Sequence, residues 1–145
     1  MKAELRIGNY VTVDNIEFHP KLKDVVLKVT GISETRNDYS ISLEHINQIQ
    51  NTYYETYSQF SFFIKPIPLT EEWLLKFGWG QSDEHELCDN SNDVLFYYDY
   101  HFERFWIELD DSFTTNSICY NMNIKYVHQL QNLYFALTGK ELQCQ

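Results

Sequence analysis

One long stretch of this chain reads as helix without help from its surroundings, Ile124 to Gly139. Val127, Leu130, Tyr134 and Leu137 recur at steps of three and four, which gathers them on one face of a 3.6-residue turn. Lys125, His128, Gln129, Gln131 and Asn132 fall mostly off that stripe. Asn121 or Asn123 is placed to cap the start, Gly139 to take the left-handed conformation past the end, and Leu142 to fold back onto the last turn. A helix of about 13 residues is marginal alone in water. It therefore needs a surface to lie on, and most of what precedes it has strand composition. The expected class is α+β, with this amphipathic helix packed on a sheet.

Leu5 to Val13 alternates apolar and polar about the pair Gly8-Asn9, as a first strand with a bend or bulge does. Val25 to Val29 is a second, continuously apolar strand whose end Gly31 loosens. Asn37-Asp38 signals a turn into a third strand carrying Tyr39, Ile41 and Leu43. These short strands suggest a small SH3-like sheet or barrel. Residues 44 to 63 mix helix spacing (Ile46, Ile49, Tyr53) with strand composition, and Phe60, Phe62 and Ile64 are expected to pack in the core while tyrosines cover an edge. The same aromatic run, exposed, would instead make a platform that stacks bases or binds a partner's apolar anchors, or the self-association surface of a structural or virion-associated protein, which is the alternative function. Pro66 and Pro68 hold an extended connector to a short helix capped by Thr70, with Glu71 and Glu72 in its first turn, apolar Leu74, Leu75 and Phe77, and Gly78 at its end. Gly80 to Asn92 reads as an acidic loop. Val94 to Phe102 and Phe105 to Leu109 read as a hairpin, with Val94, Phe96, Tyr98 and Tyr100 on one face, and Ser117 to Tyr120 as a third strand of a β-meander. A single domain is expected over 1–145, its β-rich part at 1–65 and its helix, meander and terminal helix at 66–145.

Charge is unevenly spread. Ten acidic residues and one basic residue, Arg104, lie between Asp83 and Asp111, so that segment carries −9 of the net −10. Such a surface repels phosphate backbones, which disfavours general nucleic-acid binding, and attracts basic partners. Twenty-four aromatics against five glycines and three prolines argue for a folded core. Three widely spaced cysteines, Cys88, Cys119 and Cys144, imply no disulfide framework, and no apolar run is long enough to span a membrane. Met1 to Arg6 lacks the apolar centre of a signal peptide, so a cytoplasmic location is expected.

Pro66 to Gly78 (PIPLTEEWLLKFG) and Ile124 to Leu142 (IKYVHQLQNLYFALTGKEL), with Leu5 to Val11, resemble a set of small uncharacterised proteins encoded by Bacteroidales gut bacteria, their phages and mobile elements. The resemblance covers about a third of the chain and departs most at 44–63 and 80–93. It implies a setting rather than an activity: phage or mobile-element biology, in which small acidic proteins often act by binding a host protein.

Chemistry-bearing motifs are sparse. His85, Cys88 and Asp89, with His101, have metal-ligand types but neither a CxxC pair nor helical HxxxH spacing, and a metal-binding or enzymatic reading of this loop is an alternative only. There is no GxSxG, P-loop, GxGxxG or HExxH. His128, without an acidic or cysteine neighbour at i+3 or i+4, is expected at the edge of the helical stripe. Neither a catalytic residue nor a cofactor is expected. The acidic segment is the remaining candidate, either as a solubilising surface or as a recognition face. In the second case Asp89, Asp93, Asp99, Glu108, Asp110 and Asp111 would dock on a basic protein surface, with Trp106, Tyr97 and Tyr100 as aromatic anchors.

Overall fold

The computed structural model describes residues 4–14, 20–36, 38–46, 57–60, 63–89, 94–109 and 118–145. It is α+β, with two five-stranded antiparallel sheets and one main helix near the C-terminus. Two compact units are distinguished, Met1–Ile67 with Tyr126–Asn132, and Pro68–Lys125 with Leu133–Gln145.

The first unit holds β1 (Tyr10–Val13), β2 (Leu27–Glu34), β3 (Tyr39–His45), β4 (Tyr57–Phe60) and β5 (Ile64–Lys65), in the order β4-β3-β2-β1-β5. Four strands form a meander and the short fifth returns to pair with the first. No β4–β5 pair closing an SH3-like barrel occurs among the described residues. Alternation fixes the core face: Val11, Val13, Leu27, Val29, Ile41, Leu43 and Ile64 are buried together with Leu22. Each such side chain contributes about 1.5–3 kcal/mol by leaving water.

The expected first strand is shortened, because Gly8 adopts φ 98° and Asn9 closes a turn on Arg6. Arg6 N–H donates to Asn9 Oδ1 at 2.7 Å, while Asn9 N–H donates to the Arg6 carbonyl at 3.1 Å. The second strand is longer than expected and runs through Gly31. Val29 pairs with Leu43 but Gly31 pairs with Ser42, so Thr30 is the extra residue of a bulge. After the bulge Ile32 pairs with buried Ile41 but is itself 38% exposed. A Cβ on Gly31 would lie 3.2 Å from Ser42 Oγ, so a side chain here would require Ser42 to give way. Within the aromatic run, Tyr53, Tyr54 and Phe62 lie outside the described residues, and of 57–60 only the backbone pairing with β3 is described.

The second unit begins with α1 (Glu71–Lys76), which buries Trp73 and Leu74 and leaves Leu75 exposed. Thr70 has the extended backbone of an N-cap but makes no side-chain capping bond, contrary to expectation. The helix ends in a Schellman turn: Gly78, at φ 85°, donates to the Leu75 carbonyl and Trp79 N–H to that of Leu74. Buried Leu74 and Trp79 are the residues between which that motif makes its apolar contact.

The expected acidic loop is instead a hairpin, β6 (Gly80–Asp83) and β7 (Glu86–Asp89), since Leu87 supplies a buried position that a loop does not need. It joins β8 (Val94–Asp99), β9 (Arg104–Leu109) and β10 (Ile118–Met122) in a sheet ordered β10-β9-β8-β7-β6. Leu87, Phe96, Tyr98, Phe105 and Ile107 form its buried face. Phe96 lies 5.0 Å from Tyr134, 6.2 Å from Trp79 and 6.4 Å from Phe105 between ring centroids, so aromatic rings make most of this core.

The terminal helix, α2 (Val127–Thr138), starts later than expected because β10 extends to Met122. Neither Asn121 nor Asn123 caps it. Tyr126 takes that place, and its N–H donates to Gln129 Oε1 at 3.2 Å, one half of a capping box. Gly139, at φ 70°, ends the helix and Leu142 is buried. Val127, Leu130 and Tyr134 are buried, whereas Leu137 is 38% exposed. His128 and Gln131, expected off the stripe, are fully buried in the first unit. The reason is polar. Gln131 Oε1 accepts from Tyr10 N–H at 2.8 Å, and its Nε2 donates to the Gly8 carbonyl at 3.3 Å. Asn132 Oδ1 accepts from Asn9 Nδ2 at 2.8 Å, its amide donates to the Glu4 carbonyl, and His128 Nε2 lies 3.2 Å from Glu4 Oε2.

Candidate functional site

Pairing register sorts the acidic segment onto two faces of the second sheet. Leu87 pairs with Tyr98, Phe96 with Ile107 and Tyr98 with Phe105, so the buried face is fixed. The opposite face then carries three cross-strand rows. One runs Glu86–Asp99–Arg104, the next Cys88–Tyr97–Trp106–Asn121, and the third Leu95–Glu108. Rows two residues apart along a strand are separated by about 6–7 Å. An aromatic row therefore lies between two rows bearing carboxylates.

Tyr97 and Trp106 are the centre of that row. They are directly paired across β8 and β9, with ring centroids 5.5 Å apart and planes within 12°. Both are half-buried, unlike Trp73 and Trp79, which belong to the core. Burial first, and then the charge of the neighbouring Glu108 carboxylate, push the Tyr97 pKa above the ordinary value of 10.0. Glu108 is thus a near neighbour of the aromatic pair.

Asp99 has a second duty. Its Oδ1 accepts from His101 N–H at 2.9 Å and from Phe102 N–H at 3.0 Å, closing the β8–β9 turn in which Glu103 adopts φ 50°. Glu86, directly opposite Asp99, accepts from the Ser82 hydroxyl. Two like charges in register repel. The backbone amides bound by Asp99 and the Ser82 hydroxyl bound by Glu86 satisfy part of that charge.

Of the sequence-derived candidates, Asp99, Trp106 and Glu108 are brought together on this face. Asp89 is not: it pairs with Phe96 and so belongs to the other face. Asp93, Asp110 and Asp111 lie outside the described residues. Tyr100, expected as an anchor, sits in the turn, where its hydroxyl donates to the Glu84 carbonyl. The proposed metal loop is a hairpin in which β7 carries Cys88, a free thiol, along the strand away from His85. His85 stacks on His101 at 5.2 Å, and no group of three or more His, Cys, Asp or Glu suited to a metal ion occurs among the described residues. Beside the turn an open depression of about 340 Å³ is lined by Glu103, Arg104, Phe105, Asn121, Met122 and Asn123.

Sequence reading missed the polar clamp of Asn9, Gln131 and Asn132 in the first unit. Its signal was present in Gly8-Asn9, where a bend exposes backbone groups that need partners. No protein-family model, curated protein or solved structure matches the chain. No helix among the described residues is long and apolar enough to cross a membrane.

Proposed function

We propose that this is a non-enzymatic binding protein that engages a basic protein surface through the outward face of its second sheet. The observation that carries the reading is the stacked Tyr97–Trp106 pair bracketed by Glu108 on one side and the Glu86–Asp99 row on the other. A half-exposed aromatic pair supplies the anchor that an interface core needs, and the surrounding carboxylates steer and select a cationic partner. The resemblance to Bacteroidales phage and mobile-element proteins supplies the setting, in which the partner is a host protein of the cytoplasm and binding inhibits it.

The test is affinity capture from host lysate at low and high salt, with cross-linking to map the contact, comparing the native chain with E86Q/E108Q and W106A variants. Capture of a basic protein that salt releases, that both variants lose and that cross-links to β8 and β9 is the expected result. Equal capture by the native chain and by folded variants would refute the assignment of this face.

A further inference from the structure

We infer that the outward face selects arginine over lysine, so that its partner presents a guanidinium at the centre of contact. The inference rests on the binding reading above and deepens it. Trp106 and Tyr97 lie within 12° of parallel and 5.5 Å apart, which makes a flat, layered surface rather than a cup. A guanidinium is planar, weakly hydrated and able to continue such a stack as a further layer, whereas an ammonium is a compact, strongly hydrated point charge.

The carboxylate geometry favours the same ligand. Glu108 lies on the same outward face, one row from the indole, and its charge is near enough to Tyr97 to raise that hydroxyl's pKa. A group stacked on Trp106 can therefore present its N–H edge to Glu108 while its face stays on the ring. Arginine does both at once through its fork of donors; lysine must choose between the ring and the carboxylate. The protein already pairs these chemistries one row away, where the Arg104 guanidinium carbon lies 5.3 Å from the Phe102 ring centre.

The experiment titrates the protein with an alternating Gly-Arg peptide and with its Gly-Lys counterpart of equal length and charge, following binding calorimetrically and by tryptophan emission. The arginine peptide is expected to bind about fivefold more tightly. The preference should disappear in W106L and shrink in E108Q, which keeps the shape of the site and guards against a misfolded W106L. Equal affinity for both peptides would overturn arginine selection while leaving a charge-driven binding face intact. Retention of the preference in folded W106L would also overturn it. Binding of neither peptide would overturn this inference and the binding reading together.

Discussion

Replacing Gln131 with Leu tests whether the terminal helix is held in the first unit by polar bonds rather than by its apolar stripe alone. Gln131 is fully buried, and both ends of its amide are used: Oε1 accepts from Tyr10 N–H at 2.8 Å and Nε2 donates to the Gly8 carbonyl at 3.3 Å. Leucine fills a similar volume, so the cavity cost is small. The loss falls on the backbone. Each buried group left without its partner costs about 1–3 kcal/mol, and the extra apolar burial of leucine offsets part of the pair, giving a net loss of about 2–4 kcal/mol. Urea unfolding followed by far-UV circular dichroism should show a lower midpoint with an unchanged slope. Amide exchange at Tyr10 should accelerate before that of the β2–β3 core. A loss under about 1 kcal/mol would refute the reasoning, because it would mean that the amide contributes no more than an exposed polar group.

Four other outcomes follow from the same structure. Gly78→Ala should cost about 1 kcal/mol or more in thermal or urea unfolding, because φ 85° suits only glycine and the added Cβ meets the Gln145 side chain; trimming Gln145 should recover only the second part. Phe96→Ala, at the junction of Trp79, Phe105 and Tyr134, should cost about 3–5 kcal/mol. Gly31→Val should lower stability, and Ser42→Gly in the same chain should restore part of it, since the clash is with Ser42. Hydrogen bonding to His128 holds the Glu4 carboxyl below its ordinary 4.5, so its contribution to stability is present above that value and is lost as pH falls through the lowered one. An NMR titration of His128→Ala should return Glu4 toward 4.5.

Strand alternation and helix periodicity made the α+β class, the core positions Ile41, Leu43 and Phe96, and the left-handed end at Gly139 legible from sequence. Those signals are local, and they failed where a distant partner decides. Gly31 looks like a strand end until Ser42 and Ile41 carry the strand past it. Glu86 to Asp89 looks like a solvated loop because one buried residue, Leu87, is too little signal against the surrounding charge. Gln131 and His128 look solvent-facing by residue type, and only distant partners, the Gly8 carbonyl and Tyr10 amide for Gln131 and the Glu4 carboxylate for His128, meet their buried polar atoms. At the candidate face the residue types were legible, but the register was not. Periodicity could not separate Asp89 from Glu108, whereas strand pairing puts them on opposite sides.

The bond between Tyr10 and Gln131 spans 121 residues, and the segment that supplies Gln131 joins the first unit only after Pro68–Lys125 of the second unit has been written in the sequence. During synthesis the ribosome releases β1 to β5 long before their last backbone partners exist. The first unit thus waits for the Gln131 amide until α2 has been made. A chain stalled before α2 would leave the first unit without this polar partner, so the state of the β1–β5 sheet reports on whether that helix was made.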